Sequence, residues 1–336
     1  MRGRALAILF AALMMTGAIT NTAESADKLP GTGISVQPTD QNYPEEYLQR
    51  DLVSMGLEDL GYDVKESAST QIQAAYLSVG NGDATFYAAY DDPLHKDFWD
   101  HSGGSSKLQP VGLLVKQSIQ GYSIDKKTAD AYHIKTINQF KDPNIAKLFD
   151  TDGSGKATLY GCDPGWGCER VIEHQLDAYG LRDTVRHFQG SYNAIIADAI
   201  ERVKEGKPTL YYSWSPMWLG TILQPGKDVV WLTVDHTDLP KDLEGADTVV
   251  PGIGNLGFTS FTQRVIANTA FLDQNPAARK WFELLQIPLE DVSAESLKIH
   301  DGHGSAEDIR KDAEAWRESH RAQWDAWIAE AKAAAE

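Results

Sequence analysis

The stretch GISVQPTDQNYPEEYLQRDLVSMGLEDLGYDV, residues 33–64, decides the fold class. Residues 33–36 form a short apolar run that predicts a β-strand. From Pro44 onward the apolar residues fall at helical spacing until Gly61, a residue type that commonly ends helices. Residues 62–64 predict a second strand. Two strands joined by a helix in this order are expected to lie parallel in one sheet.

The same alternation continues along the chain. Residues 70–79 predict a second helix and residues 84–90 a third strand, which completes a β-α-β-α-β series typical of an α/β protein. A second series follows. Its strands are predicted at 111–115, 120–124, 208–214, 229–234 and 261–267, and its helices at 126–132, 172–179 and 192–204.

The C-terminal residues 306–335 predict one or two helices. Trp316, Trp324 and Trp327 recur there at the spacing of a core-facing stripe, so we expect them in the core rather than in a site. Because no long flexible linker separates the two α/β series, they are expected to form two lobes joined by crossing strands. A ligand would then bind in the cleft between the lobes, at the carboxyl ends of the strands.

Composition narrows the possible partners. The chain has 336 residues, of which 42% are apolar and 24% charged, and this balance excludes a disordered or low-complexity protein. Its net charge of −17 argues against nucleic acid or an anionic membrane surface as a partner, because both require a basic face.

The first residues predict an export signal. Arg2 and Arg4 precede an apolar run from Ala5 to Ala18, which is typical of a signal peptide and short for a membrane span. Residues 1–26 are therefore excluded from the fold, although an uncleaved anchor is an alternative and the cleavage point is unclear. We expect a secreted protein, most simply a periplasmic one.

The chain contains two cysteines, Cys162 and Cys168. In an oxidising compartment such a closely spaced pair can close a small loop, and a pair of free thiols is the alternative. We expect no structural zinc, because no second CxxC or HxxxH lies nearby.

Three further motifs could carry chemistry, and two of them have ordinary explanations. GIGNLG at 252–257 matches a dinucleotide fingerprint, but the β-branched and aromatic residues that follow predict a loop instead of a helix. DTDGSGKAT at 150–158 resembles the start of a calcium loop, but Gly161 stands where a bidentate glutamate is needed, so a tight turn is favoured over a weak calcium site. Asp91 and His95 form an acid–imidazole cluster that could serve a metal site or an enzyme.

The loop GCDPGWGCE at 161–169 is the most informative segment. Trp166 has glycine on both sides, so little can cover its ring, and this favours a ligand platform over a core position. A second aromatic cluster, YYSW at 211–214, ends a predicted strand; ligand binding and core packing are both open for it.

These segments resemble the ProX-type glycine betaine/proline betaine-binding periplasmic proteins of ProU-type ABC importers. The resemblance runs from about Leu29 to the C-terminus. It is carried by LPG at 29–31, GDATF at 82–86, PLH at 93–95, GYSIDKKTAD at 121–130, LFD at 148–150, GCDPGWGCE at 161–169, YYSW at 211–214 and PGKDVVWL at 225–232.

The resemblance implies an α/β, two-lobe type II periplasmic-binding-protein fold without catalysis or a cofactor. Lobe 1 would comprise residues 27–122 plus 263–336, and lobe 2 residues 123–262. The expected partners are a quaternary ammonium ligand and an ABC permease in the inner membrane with its ATPase, and the protein is expected to be a monomer that binds no nucleic acid.

The resemblance also implies roles for individual residues. Trp166 and Trp214 would be two walls of an aromatic cage, because a quaternary ammonium offers no N–H and is held by aromatic faces. The backbone N–H groups of Gly167 and Cys168 and the His95 side chain would hold the ligand carboxylate. Cys162 would pair with Cys168 in a disulfide.

One position departs from the family. The third cage tryptophan, four residues before the histidine, is here Asp91, with Tyr90 beside it. Tyr90 can replace that wall only where the strand is bulged or has ended, because neighbours in a strand face opposite sides. Asp91 suggests a shift towards another onium compound, such as the cation choline. A solvent-facing Asp91 with a two-walled cage is the alternative.

Overall fold

The computed structural model describes residues 28–336, so the predicted signal peptide, residues 1–26, lies outside the described residues. The fold is α/β, with two lobes that share one curled sheet. Within residues 28–336, no helix combines the length and apolar character that a membrane crossing requires.

Thirteen strands are formed by the described residues. They are β1 Ser35–Val36, β2 Pro38–Gln41, β3 Asp63–Val64, β4 Ala68–Thr70, β5 Phe86–Asp92, β6 Leu108–Asp125, β7 Ala157–Tyr160, β8 Val185–Phe188, β9 Leu210–Ser215, β10 Val229–Trp231, β11 Val249–Val250, β12 Gly254–Asn255 and β13 Phe261–Asn268.

The same residues form thirteen α-helices and four 3₁₀ turns. The helices are α1 Tyr47–Asp59, α2 Ile72–Asn81, α3 Lys96–His101, α4 Lys126–Tyr132, α5 Pro143–Leu148, α6 Gly167–Ala178, α7 Tyr192–Lys204, α8 Leu219–Ile222, α9 Thr269–Gln274, α10 Pro276–Leu284, α11 Leu289–His300, α12 Ala306–Ser319 and α13 Arg321–Ala333. The 3₁₀ turns are Pro44–Glu46, Gly104–Ser106, Ile137–Lys141 and Lys241–Leu243.

The main sheet has the strand order β4-β2-β5-β13-β6-β9-β7-β8, and β10 pairs with β6 beside this path. The predicted strands β1 and β3 pair in parallel, but they form a separate two-stranded sheet and do not join β5, so the prediction of one sheet for all three is wrong. Strand β2, which was not predicted, lies parallel to both β4 and β5 in the main sheet. Strand β7 is parallel to β8 and β9 in the second half of the sheet. The strands at the centre, β13 and β6, are antiparallel to their neighbours.

Strand β6 runs through both halves of the sheet. Its first part, to Ser118, pairs with β13, and its second part, from Ile119, pairs with β9. The sequence prediction of two strands at 111–115 and 120–124 is wrong, because the polar residues between them continue the same strand. Gln117 there has a positive φ of 63°, so the strand is locally irregular where it changes partner.

Separate apolar cores lie on either side of this change of partner. One core, which forms lobe 2, contains buried side chains from Tyr122 to Phe258 together with Leu94 of lobe 1. The other buried side chains come from both ends of the described chain and form lobe 1. The boundaries 122/123 and 262/263 themselves stay a prediction.

The C-terminal tryptophan stripe packs into lobe 1. Trp324 is 1% exposed, and its ring centroid lies 4.8 Å from that of Trp281 and 6.4 Å from that of Trp316. Trp327 packs against the same core and is half-buried. The prediction that this stripe serves the core is confirmed.

Candidate functional site

A cleft between the lobes brings together most of the residues that the sequence singles out. The cleft holds about 710 Å³ of space free of protein atoms, part of which is open to solvent. Asp91 and His95 line it from lobe 1, and Trp166, Gly167, Cys168 and Trp214 line it from lobe 2. These lobe 2 groups sit at the carboxyl ends of strands β7 and β9, where an α/β sheet commonly binds ligands.

A disulfide fixes the lobe 2 loop. Cys162 and Cys168 are bonded, with their Cα atoms 6.6 Å apart, and both side chains are buried. Asp163, within the loop, accepts a 2.7 Å hydrogen bond from the backbone N–H of Tyr192 at the start of α7. The loop is therefore anchored both to itself and to the neighbouring helix.

Helix α6 begins at the end of this loop, with Trp166 as its N-cap residue. Gly167 and Cys168 lie in the first turn of α6. Backbone N–H groups there have no acceptor within the helix and form its electropositive end. A Cβ on Gly167 would lie 2.9 Å from Cγ of Leu94 and 3.1 Å from Cδ2 of His95. Glycine thus lets these N–H groups approach lobe 1 closely, next to the imidazole.

The two indoles form adjacent walls of the cleft. The ring centroids of Trp166 and Trp214 are 5.9 Å apart, and the planes are inclined by 73°. The ring of Trp214 packs against those of Tyr192 and Tyr212, at centroid distances of 4.7 Å and 5.9 Å. Both indoles are half-buried, and both line the cleft.

The environment of His95 sets its protonation. The backbone N–H of Asp91 donates to Nδ1 at 3.3 Å, and the Tyr76 hydroxyl lies 3.0 Å from the same atom. An amide N–H can only donate, so Nδ1 is the acceptor and the ring proton resides on Nε2. Burial, with a smaller contribution from the charge of Arg170, lowers the pKa of His95 to about 3. His95 is therefore a neutral side chain that presents an Nε2–H donor.

Asp91 points into the cleft, not into bulk solvent. Its Oδ2 lies 3.7 Å from Nε2 of His95, and its side chain is 14% exposed. Its other oxygen, Oδ1, is buried and has no hydrogen-bond partner among residues 28–336. Burial raises the pKa of Asp91 to about 7, against a smaller opposing effect of the Gln263 amide. A titratable carboxyl thus adjoins the imidazole donor.

Tyr90 is not brought together with the other predicted site residues. It is 3% exposed and packs in the lobe 1 core, where its ring lies 6.0 Å from that of Tyr76. The irregularity in the pairing of β5 with β13 lies between Tyr87 and Tyr90, and β5 continues through Asp92, so Tyr90 and Asp91 still face opposite sides of the sheet. Tyr90 therefore supplies no cage wall in this arrangement.

The sequence analysis missed the acidic cleft residues of the 3₁₀ turn before α1 and the aromatic residue that precedes this turn. Tyr43 places its ring 5.1 Å from that of Trp166 and 6.4 Å from that of Trp214. Glu45 and Glu46 also line the cleft, and burial raises the pKa of both. The YPEE sequence has no spacing that indicates a ligand site, so these contacts could not be found without the folded chain.

Direct contacts hold the lobes together across the cleft. The Gln73 side chain of lobe 1 donates to the carbonyl oxygen of Gly165 at 2.6 Å. On another edge of the cleft, the Asn193 side chain of lobe 2 donates to Glu45 at 3.0 Å. The described arrangement is therefore a closed one, with both walls of the cleft in contact.

The calcium-like loop has an internal explanation. The carboxylate of Asp150 accepts backbone N–H bonds from Asp152, Gly153 and Gly155. Nowhere in residues 28–336 do three or more side chains of the metal-ligating types come together as a possible metal site. Asp91 and His95 are therefore not joined by a third such side chain from this range. The geometry here is that of a tight turn.

Comparison with known sequences identifies similar proteins over almost the whole chain. Residues 34–319 match the family described as the substrate binding domain of ABC-type glycine betaine transport systems. The chain is 46% identical to the glycine betaine-binding periplasmic protein OusX of Dickeya dadantii, over 98% of this chain and 99% of that protein. It is 47% identical to the glycine betaine/proline betaine-binding periplasmic protein of Escherichia coli, over 97% of this chain and 98% of that protein.

Solved structures show the same fold. A lactococcal OpuAC in its closed-liganded conformation with glycine betaine superposes with a TM-score of 0.65 at 21% identity, covering 88% of this chain and 99% of that one. An ABC-transporter choline-binding protein in complex with choline gives a TM-score of 0.68 at 16% identity, covering 90% and 98%.

Proposed function

This chain belongs to the family of substrate-binding domains of ABC-type glycine betaine transport systems, and on that premise we propose that its cleft binds a zwitterionic methylated ammonium compound of the glycine betaine class. The bound solute would be handed to a membrane permease driven by an ATPase. The protein acts in the periplasm and is not an enzyme, and we expect it to work as a monomer.

The indoles supply the site for the ammonium end. A trimethylammonium group has no N–H to donate and is attracted instead to the electron-rich faces of aromatic rings. Trp166 and Trp214 present two inclined faces 5.9 Å apart at the centroids. Each such contact contributes roughly 0.5 to 2 kcal/mol, with the larger values where water is excluded.

The helix start and the imidazole supply the site for the carboxylate end. The backbone N–H groups of Gly167 and Cys168 lie at the positive end of α6, which favours an anion. The Nε2–H of neutral His95 adds a donor from the opposite lobe. Because the donors come from both lobes, a bound carboxylate favours the closed arrangement.

The observation that carries the proposal is that these two sets of groups adjoin one another. Trp166 is the N-cap residue of the same helix whose first residue, Gly167, lies against His95. Neighbouring aromatic faces and anion donors suit a small molecule that bears opposite charges at its two ends.

Asp91 supports a second candidate, an onium cation without a carboxylate, such as choline. The Asp91 carboxylate lies beside the His95 donor, so when ionised it opposes a ligand carboxylate and attracts a cation. Glu45 and Glu46 add acidic groups to the same cleft. The candidates differ in how their affinity changes as Asp91 ionises.

Calorimetric titration of the protein with glycine betaine, proline betaine and choline, at about pH 6 and about pH 8, separates the candidates. We expect saturable one-site binding of a betaine, stronger at the lower pH. Tight glycine betaine binding without detectable choline binding excludes the second candidate. Choline binding that exceeds betaine binding at both pH values favours it, and no binding of any of the three contradicts the proposed function.

A further inference from the structure

Tyr43 occupies a fixed place at the cleft. It precedes Pro44, the first residue of the 3₁₀ turn that leads into α1, and its backbone is extended. Proline fixes its own φ and restricts the residue before it, so the turn limits the directions that the tyrosine side chain can take. The hydroxyl of Tyr43 is buried and has no hydrogen-bond partner among residues 28–336.

The ring of Tyr43 meets both indoles at steep angles. Its plane is inclined by 76° to that of Trp166 and by 53° to that of Trp214, and the two indole planes are inclined by 73° to one another. Rings packed as a stack would be nearly parallel, as Trp166 and Tyr192 are at 21°. Three mutually inclined planes instead form the corner of a box.

We propose that Tyr43 is the third aromatic wall of the ammonium site, supplied by lobe 1 from the turn before α1. This inference rests on the proposed function and adds a specificity-determining residue to it. Tyr43 would replace the tryptophan wall that the resemblance leads us to expect where Asp91 stands. This wall comes from the turn before α1, not from the strand that bears Asp91. The cage then has three faces, and Asp91 remains free to act as a charged group.

The position of Tyr43 also makes the cage depend on closure. Two residues further on, Glu45 accepts the hydrogen bond from Asn193 of lobe 2. Movement of the lobes apart would break this contact and withdraw the tyrosine ring from the two indoles. The third wall is therefore present only in the closed arrangement, and cation–π contact with it links ligand binding to closure.

Substitution at Tyr43 tests the inference by calorimetry. Tyr43→Ala is expected to weaken glycine betaine binding by about 3-fold to 30-fold, the range of one cation–π contact. Tyr43→Phe keeps the ring and is expected to bind nearly as well as the unchanged protein. Tyr132→Ala, at a tyrosine that is 53% exposed and does not line the cleft, is the control for loss of a tyrosine side chain.

A second ligand separates a cage wall from a contact that only assists closure. Dimethylglycine has the same carboxylate but an N–H in place of one methyl group, so loss of an aromatic wall is expected to affect it less than glycine betaine. Asn193→Ala, which removes the closure contact, is expected to weaken both ligands by the same factor. Thermal melting of each variant verifies that it is folded.

Three outcomes overturn the inference without touching the proposed function: unchanged betaine affinity in Tyr43→Ala, an equal loss in Tyr43→Phe and Tyr43→Ala, or an equal loss of both ligands in Tyr43→Ala. Failure of the unchanged protein to bind any betaine overturns the proposed function itself.

Discussion

The two faces of the cleft are built in different ways. The lobe 2 face consists of two indoles and a helix start, held by a disulfide and by the contact between Asp163 and Tyr192. The lobe 1 face consists of separate side chains from the turn before α1 and from the end of β5, with carboxyl groups among them. One face is held in place by covalent and hydrogen-bonded contacts, and the other carries a carboxyl group, Asp91, whose charge changes near neutral pH because burial raises its pKa to about 7.

This difference suggests a division of roles. On the proposed function, the lobe 2 face would supply most of the contact energy, because its groups are already held in place before binding. The lobe 1 face, which bears Asp91, is expected to decide between related ligands. Substitutions in the two faces should therefore have different consequences.

The largest effect is expected from the lobe 2 face. Trp166→Ala removes one wall of the cage and should weaken glycine betaine binding by about 30-fold, or roughly 2 kcal/mol, the upper end of the range for one cation–π contact. Calorimetry measures this, with Trp231→Ala as the control, because Trp231 is a half-buried lobe 2 tryptophan on β10 outside the cleft. Equal affinities of the two variants would contradict the assignment of the lobe 2 face.

The next effect concerns the lobe 1 charge. Because burial raises the pKa of Asp91 to about 7, the carboxyl is largely protonated in moderately acidic solution and ionised above neutral pH. Betaine affinity should fall by about tenfold between about pH 6 and about pH 8, since at one pH unit above the pKa reprotonation costs about 1.4 kcal/mol. Asp91→Asn should remove this dependence, and a pH profile of the variant that matches the unchanged protein would contradict the role of Asp91.

The same titration should appear in stability. The folded Asp91 holds its proton up to about pH 7, while an unperturbed carboxyl has a pKa of 3.8, so the free energy of unfolding contributed by this group falls as pH rises between these values. His95 acts in the opposite direction: its lowered pKa makes stability fall as pH drops from 6.5 towards about 3. Chemical denaturation of Asp91→Asn at several pH values isolates the first contribution.

The smallest effect on affinity is expected from the link that holds the lobe 2 loop. Replacement of both Cys162 and Cys168 by serine should lower the free energy of unfolding by about 2 kcal/mol, the loop entropy of so short a disulfide. Betaine affinity should fall only by about 3-fold, because the contact with Tyr192 still holds the loop. An unchanged melting curve would show that the disulfide does not hold the lobe 2 face.

Much of this fold follows from apolar periodicity. The helix predicted at 192–204 is observed with those bounds, because its apolar residues repeat regularly along one buried face. Strands β7 and β8 were not predicted. Strand β7 lies within a segment whose glycines indicate a loop, and in β8 the polar Arg186 and His187 separate Val185 from Phe188, so neither an apolar run nor an alternation marks it.

The candidate site was predictable to the extent that its residues lie in distinctive local sequences. Trp166, Gly167 and Cys168 stand in one glycine-rich loop, and the structure places them in the cleft. Tyr43 had no such signal, since its contacts with the indoles depend on how two lobes meet. Tyr90 shows the limit of adjacency in sequence: one residue from Asp91, it lies on the other side of the strand.

The 18 residues of β6 have a consequence for the cooperativity of the molecule. One strand supplies hydrogen bonds to both halves of the sheet. If β6 unfolded in either half, the hydrogen-bonding edge of the neighbouring strand in the other half would also be weakened. The lobes are therefore expected to melt as a single unit despite their separate cores. A destabilising substitution in one lobe should therefore also lower the stability of the other lobe. A solute that bridges the cleft should protect the whole chain from proteolysis.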